Sequence, residues 1–217
     1  MGAGQESETA QRILAVVLES LERGGYDGLY LQEVARDARV SLATVYKLFG
    51  TRDELIVAAI EQWMAGAGYA DLAAPTPAET LSEGLIRLFR CVFEPWERNP
   101  RMLEVYHRAR SGPGGQRLEA QGFAALLPAA GAVLAGADPG YADDLGRILT
   151  NLSYGLIGRY VDGALDITEI LPTLELAVHR LTANNESDAT ATHLRRIELD
   201  ATAQTDTPRA APPATIR

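Results

Sequence analysis

The stretch LQEVARDARVSLATVYKLFGTR, from Leu31 to Arg52, predicts two short helices joined by a tight turn. Apolar residues recur at three- and four-residue spacing on both sides of Arg39, as expected for amphipathic helices. Ser41 has the side chain of a good N-cap for the second helix, and Gly50 breaks it. Helix pairs of this kind can place the second helix in the major groove of DNA while the first crosses the backbone.

The second helix carries groups that can reach DNA. Leu42, Ala43 or Thr44 could meet base edges, whereas Tyr46 and Lys47 are better placed for phosphates. The predicted DNA-contacting set is Arg39, Ser41, Leu42, Ala43, Thr44, Tyr46, Lys47 and Arg52. On spacing and charge alone, an ordinary helical hairpin with an aromatic packing residue explains the stretch equally well.

The overall charge of −9 argues at first sight against nucleic acid. The local charge differs, because residues 36–52 hold three arginines and Lys47 against Asp37, which gives 4 − 1 = +3. Lys47 is the only lysine in the chain. A basic face on an acidic body is compatible with DNA binding and discourages indiscriminate binding.

On either side of the hairpin, the three- and four-residue spacing of apolar residues predicts helices along the chain. No segment shows the sustained alternation of apolar and polar residues that is typical of strands. A first helix is expected from about Ala10 to Arg23, and Thr51 to Glu54 has the spacing of a capping box. Glycines and prolines at residues 66–78 indicate a boundary. Further helices are expected at about 78–96, 100–110, 116–135, 139–161 and 166–181.

The hairpin and its flanks resemble the DNA-binding domain of the TetR family of bacterial repressors. The resemblance covers about residues 11–60 without a gap, and its most specific part is the run Val-Ser-x-x-Thr-Val-Tyr-x-x-Phe from Val40 to Phe49. It implies DNA contacts at Thr44, Tyr46, Lys47 and Arg52. Two residues depart from the family: Tyr30 replaces the usual Ser or Thr cap, and Arg39 stands where glycine is common. If that position needs a positive φ, Arg39 is mildly strained.

The resemblance implies an all-α protein in which residues 8–52 would form a three-helix helix-turn-helix domain and residues 53–182 a helical ligand-binding and dimerisation domain. Residues 183–217 are rich in Ala, Thr, Asn, Asp and Pro, a composition that predicts a flexible tail. A dimer that reads two half-sites of a palindromic operator is expected, since one hairpin makes few contacts. The expected interface residues are Leu149, Leu152, Leu156, Tyr160, Leu171, Leu174 and Val178. Ordinary intrachain core is the alternative for these residues.

Bulky residues are concentrated between Leu81 and Leu127, where the family resemblance implies an effector cavity. The expected lining is Phe89, Phe93, Trp96, Met102, Tyr106, Phe123 and Leu127, with Asn151 and Tyr154 as polar handles. For any single residue, simple packing in the core is the alternative. A short run at Glu97–Pro100, with Tyr106 to Arg110, is weakly similar to actinobacterial repressors of cholesterol and lipid catabolism. That similarity suggests a hydrophobic effector, such as a steroid or an acyl-CoA.

Other functional classes have little support in the sequence. The three histidines are scattered without metal-binding spacing, and no glycine-rich phosphate loop is present, so we expect no metal, no cofactor and no enzyme activity. An enzyme, or a dimeric scaffold that has lost DNA binding, remains the alternative. The single cysteine, the absence of a long apolar run and the absence of a signal-like start lead us to expect a cytoplasmic protein without a membrane partner.

Overall fold

Helices make up the regular structure of the computed structural model, which describes residues 3–67 and 78–183 together with Leu72 and Thr76. This confirms the all-α prediction. The tail predicted from residue 183 lies, apart from Ala183, outside the described residues. In chain order the helices are α1 (Ala3–Gly24), α2 (Leu31–Asp37), α3 (Leu42–Phe49), α4 (Arg52–Ala67), α5 (Leu81–Arg98), α6 (Pro100–Arg110), α7 (Gln116–Val133), α8 (Pro139–Val161) and α9 (Ile170–Thr182), the last preceded by a 3₁₀ turn at Ile167–Glu169.

The first four helices pack around the buried face of α1. Ile13, Val17 and Leu21 lie on that face at the predicted helical spacing and are fully shielded. α1 packs against α2 and α4, and α3 bridges α2 and α4. Val45 is the buried residue of α3, so the remainder of this short helix is left at or near the surface.

The caps of the hairpin follow the local sequence. The Ser41 hydroxyl accepts a hydrogen bond from the amide of Thr44 at 3.0 Å, as predicted for an N-cap. Tyr30 makes no side-chain cap, which confirms the missing cap at α2; instead its carbonyl accepts from the amides of Glu33 and Val34. Arg39 has a φ of 55°, which confirms that this turn position lies in the left-handed region.

Two helix starts differ from the sequence expectation. α1 begins at Ala3 instead of near Ala10, with Glu6 in the first turn, where a carboxylate is favoured by the helix dipole. α5 begins at Leu81, after a capping box between Thr80 and Glu83 that the sequence reading did not use. The predicted capping box between Thr51 and Glu54 is present at the start of α4.

α6 occupies the centre of the described structure. It packs against five other helices: α1, α4, α5, α7 and α8. Its residues Met102 and Leu103 belong to a core that also includes Ile13 of α1 and Leu174 of α9. The division at residue 52 therefore stays a prediction. Among the described residues, no helix combines the length and the apolar character needed to cross a bilayer.

Candidate DNA-binding face and ligand cavity

α3 presents its polar side chains to solvent. Lys47 has 68% of its side chain exposed, and Tyr46 is 48% exposed. Ser41 and Ala43 are exposed as well, while Leu42 and Thr44 are half-buried. We call the exposed side of this helix, formed by Ser41, Ala43, Thr44, Tyr46 and Lys47, the α3 face. Val45, on the opposite side of α3, is buried in the core and holds this short helix in place.

The hydroxyls of Ser41 and Thr44 are held together at the start of α3. Their oxygens lie 2.8 Å apart, and the Ser41 oxygen also accepts from the Thr44 amide. Each hydroxyl keeps further hydrogen-bonding capacity, because a hydroxyl can donate one bond and accept two. The start of α3 is thus ordered and still able to bind an external acceptor.

Lys47 makes one contact that the sequence did not indicate. Its ammonium lies 2.9 Å from the carboxylate of Glu6, a residue of α1 that the predicted helix left out. Both side chains are largely exposed, and ion pairs of this kind contribute little to stability. Glu6 therefore neutralises Lys47 locally without burying it.

Arg52 makes intrachain contacts that the sequence did not indicate, and its predicted DNA contact stays a prediction. Its guanidinium donates to the carbonyl of Leu29 at 3.1 Å and to the carbonyl of Tyr26, and it lies 4.8 Å from the centre of the Tyr26 ring. It is also 3.8 Å from the carboxylate of Asp53. These contacts fix the loop between α1 and α2, which gives Arg52 a structural role. Arg39 is exposed and makes no ion pair with a described residue.

A cavity of about 530 Å³ lies among α5, α6, α7 and α8. Seven of the nine residues predicted to contact a ligand line it: Phe89, Phe93, Trp96, Tyr106, Phe123, Leu127 and Tyr154. The other two do not. Met102 is fully buried in the core on α6, and Asn151 is exposed on another side of α8, where its amide donates to the carbonyl of Arg147. Helical rotation separates these two residues from the cavity, although their sequence positions are close to it.

One end of the cavity carries a polar cluster that the sequence did not reveal. Arg110 of α6 pairs with Glu119 of α7 at 2.6 Å, and its guanidinium lies 4.2 Å from the centre of the Tyr154 ring. Burial raises the pKa of Tyr154 above its usual value, so its hydroxyl stays protonated at neutral pH. Nothing in the spacing of these three residues predicts the cluster, because they come from three different helices.

The predicted dimer residues divide into two groups. Leu149, Leu156, Leu174 and Val178 are buried within the chain, so the helical spacing that suggested an intermolecular seam describes intrachain packing at these four positions. Leu152, Tyr160 and Leu171 are half-buried and pack against the core. The Tyr160 hydroxyl donates to Glu104 at 3.0 Å, and burial, followed by this carboxylate, raises the pKa of Tyr160 to about 12. Burial at four of the seven positions favours the intrachain alternative there, and the dimer interface stays a prediction.

Other apolar residues of the same helices are exposed. Ile148 on α8 is 47% exposed and Leu176 on α9 is 58% exposed. Gly155 lies on the same side of α8 as Ile148, and no described residue outside its immediate helical surroundings would come within 4 Å of a β-carbon there. The 4-3 spacing behind the predicted interface selects the neighbouring buried stripe and leaves out Ile148 and Leu176.

α6 and α7 connect the cavity to the helices that carry the α3 face. Arg108 of α6 lies 2.6 Å from the carboxylate of Asp27 and 4.5 Å from the centre of the Tyr26 ring. On α7, Arg117 pairs with Glu61 of α4 at 3.1 Å. Among the described residues, no group of histidines, cysteines and carboxylates is arranged to hold a metal ion.

Two family models match this chain. One, described as bacterial regulatory proteins of the tetR family, matches residues 13–59; the other, described as the C-terminal domain of tetracyclin repressor-like proteins, matches residues 78–181. The chain belongs to the TetR family. Its N-terminal model describes a family of bacterial regulatory proteins, in agreement with the resemblance found in residues 11–60.

Curated relatives of this TetR-family chain include mycobacterial repressors. It is 31% identical over 113 residues to the HTH-type transcriptional repressor KstR of Mycolicibacterium smegmatis, an alignment that covers 50% of this chain and 53% of the relative. It is 27% identical over 113 residues to KstR of Mycobacterium tuberculosis, with 50% of each chain covered. The chain thus spans about half the length of the curated relatives it matches.

Solved structures share the fold. A TetR transcriptional regulator from Rhodococcus sp. RHA1 aligns over 84% of this chain and 98% of its own, with a TM-score of 0.66 and 18% identity. A second transcriptional regulator from the same organism aligns over 79% and 95%, with a TM-score of 0.60 and 19% identity. At these identities the likeness establishes the TetR-family fold.

Proposed function

We propose that this regulator represses transcription by binding a palindromic operator as a homodimer, and that a small, mainly apolar ligand in the cavity releases it. The observation that carries the proposal is that α6 and α7 border the cavity and also pack against α4, which supports the α3 face. A ligand can change the position of the α3 face only through elements that touch both regions. Both α6 and α7 do so.

The link through α7 is direct. Phe123 and Leu127 of α7 line the cavity, and two other side chains of the same helix hold α4. Arg117 pairs with the carboxylate of Glu61, and the amide of Gln121 donates to the backbone carbonyl of Glu61 at 2.9 Å. A ligand that favours one position of α7 therefore favours one tilt of α4 and one spacing of the two α3 faces in a dimer. The ligand can change the equilibrium between two positions of α7 and α4 only by the difference in its affinity for them.

The homodimer is supported by the exposed apolar residues of α8 and α9. Ile148 and Leu176 expose about half of their surfaces, and Gly155 would let another helix approach α8 closely. Covering such side chains in a partner subunit removes apolar surface from water, which is the main driving force of association. A dimer also doubles the contacts with DNA, which a single short recognition helix needs for a tight site.

DNA binding is tested on an operator selected from random-sequence duplexes. Replacing Lys47 with alanine should weaken binding to the selected duplex and to its variants by similar factors, and should reduce the slope of log affinity against log salt by about one. Glu6→Gln is the matched control: it releases Lys47 from its carboxylate and should leave the slope unchanged or steeper. An unaltered affinity and slope for Lys47→Ala would contradict the proposal and favour a scaffold without DNA binding.

Ligand release is tested on the same complex. Extracts of apolar metabolites are fractionated, and each fraction is added to the regulator–operator complex in a gel-shift titration. We expect at least one fraction to lower operator affinity and to raise the melting temperature of the free protein. If fractions stabilise the protein but none changes operator affinity, the release part of the proposal is wrong.

A further inference from the structure

The two ends of the cavity differ in exposure and in charge. Along α8, the lining residues run from Ala142 to Ile157, which corresponds to about 22 Å of helix at about 1.5 Å per residue. Near the first end Asp143 and Arg147 are exposed, and Leu127 of α7 is 64% exposed. At the other end, Trp96, Tyr106 and Ile157 are buried. The cavity is therefore elongated, with an open end and a closed end.

The closed end is electrically balanced. Arg110 and Glu119 lie 2.6 Å apart with side-chain exposures of 21% and 35%, so their opposite charges offset each other. A ligand carboxylate or ammonium placed beside them would lose part of its hydration and would gain no uncompensated partner. Burial of such an unpaired charge is far more costly than burial of a hydrogen-bonded neutral group. This end selects against a charged ligand group.

The closed end nevertheless offers hydrogen bonds. Tyr154 and Glu119 line the cavity, whereas Arg110 does not. The Tyr154 oxygen accepts hydrogen bonds from the side chains of Arg110 and Tyr106, and its own O–H can donate to a ligand. Ser153 is occupied, because its hydroxyl donates to the carbonyl of Leu149 at 2.8 Å. A hydroxyl or carbonyl oxygen of a ligand could therefore accept from Tyr154, and a ligand hydroxyl could also donate to the Glu119 carboxylate, while the rest of the ligand contacts the apolar walls.

We propose that the cavity takes an elongated, mainly apolar ligand whose inner end carries an uncharged hydrogen-bonding group, a hydroxyl or a carbonyl, against Tyr154 and Glu119. This inference rests on the proposed function, since it names the ligand class of the same cavity. The family resemblance gives no difference between the two ends of the cavity. The difference follows from the distribution of charged residues along the cavity.

The test compares three probes with the same chain, dodecan-1-ol, dodecanoate and dodecylammonium, bound to the full-length protein and followed by titration calorimetry. Dodecan-1-ol should bind more tightly than both ions, by about tenfold or more. In Tyr154→Phe the affinity for the alcohol should fall about fivefold, as expected for the loss of one neutral hydrogen bond. Tyr160→Phe is the control on the same helix, since its hydroxyl donates to Glu104 outside the cavity, and should leave the affinity unchanged.

Two results would overturn the ligand class: dodecanoate or dodecylammonium binding as tightly as the alcohol, or an alcohol affinity that Tyr154→Phe leaves unaltered. Failure of dodecan-1-ol to bind would overturn it as well. Operator binding is measured in parallel, so that the two proposals fail separately. If the alcohol binds as expected without releasing DNA, the ligand class stands and the proposed release is wrong.

Discussion

The two cations Lys47 and Arg52 lie five residues apart and have opposite surroundings. Lys47 is 68% exposed, and its ammonium pairs with the carboxylate of Glu6. Arg52 is bound to two backbone carbonyls and lies against the Tyr26 ring. The ammonium of Lys47 is therefore accessible from solvent, whereas the guanidinium of Arg52 binds the loop between α1 and α2.

Alanine substitutions test this difference between Lys47 and Arg52. Arg52→Ala leaves the carbonyls of Leu29 and Tyr26 without their donor and should lower the free energy of unfolding by about 2 kcal/mol. Lys47→Ala removes an exposed side chain and should change the free energy of unfolding by less than about 0.5 kcal/mol. Urea unfolding followed by circular dichroism measures both. Equal stability losses would show that Arg52 has no special structural role.

Arg39 provides a prediction about backbone strain. With its φ of 55°, replacement by glycine should stabilise the protein by about 1 kcal/mol, because glycine has no β-carbon to clash with the backbone. Arg36→Gly is the matched control. Arg36 lies inside α2, so glycine there should destabilise by about 1 kcal/mol. Thermal unfolding should show shifts of opposite sign, and two downward shifts would mean that Arg39 stabilises its turn.

Among the helices, the contact between α5 and α7 sets the width of the cavity. Gly84 of α5 faces Val133 of α7, and a β-carbon at Gly84 would lie 2.8 Å from a methyl carbon of Val133. Gly84→Ala should force the two helices apart and cost about 2 kcal/mol of stability, as overpacking does. Gly131→Ala on α7 is the control, since no other residue lies within 4 Å there and alanine should stabilise the helix by up to about 1 kcal/mol. Thermal unfolding measures the melting temperature of both variants. Similar changes in melting temperature for Gly84→Ala and Gly131→Ala would rule out close packing at Gly84.

The contact between α6 and α8 contains a titratable group. Burial and then the charge of Arg110 lower the pKa of His107, with Asp162 acting in the opposite direction, and its buried Nδ1 has no hydrogen-bond partner among the described residues. The unfolded chain therefore binds a proton at a higher pH than the folded chain, so stability should fall as the pH drops below about 6.5. His107→Gln should reduce this loss, as measured by urea unfolding at pH 7.5 and pH 5.5. An identical loss in both proteins would exclude His107 as its source.

Sequence reasoning succeeded where the signal was local. The Ser41 cap, the strained turn at Arg39 and the Thr51–Glu54 capping box depend on residues within three positions of one another, and all three are present. Seven cavity-lining residues were also found, because bulky apolar residues on adjacent amphipathic helices tend to face the same space. These features need no knowledge of how distant helices are rotated.

The features that sequence reasoning missed depend on the rotation of one helix against another. The partners of Arg52 are 23 and 26 positions away, and the pairing of Arg110 with Glu119 joins two helices across a loop. Periodicity showed that α8 and α9 each have an apolar stripe, but it did not show which molecule covers it. Leu149 and Leu174 are covered within the chain, and Ile148 and Leu176 are left at the surface.

At the scale of the whole molecule, a dimer can form only through surfaces that the chain leaves uncovered. Three large apolar residues are exposed to a similar degree: Ile148 on α8, Leu176 on α9 and Leu127 on α7. The first two lie on the helices assigned to dimerisation, whereas Leu127 lines the cavity near its open end. Their similar exposure makes them a matched set for locating the interface.

We expect Ile148→Asp and Leu176→Asp to convert the dimer to a monomer, because each places an unpaired carboxylate in a surface that must be desolvated on association. Leu127→Asp should stay dimeric, since its helix lies outside the proposed interface. Light scattering after size exclusion measures the mass of each variant, and gel shifts should show operator affinity lost with the dimer. The opposite result, a monomeric Leu127→Asp variant and dimeric Ile148→Asp and Leu176→Asp variants, would place the interface on α7. An interface there would cover the open end of the cavity, so a ligand could enter only after the subunits dissociate.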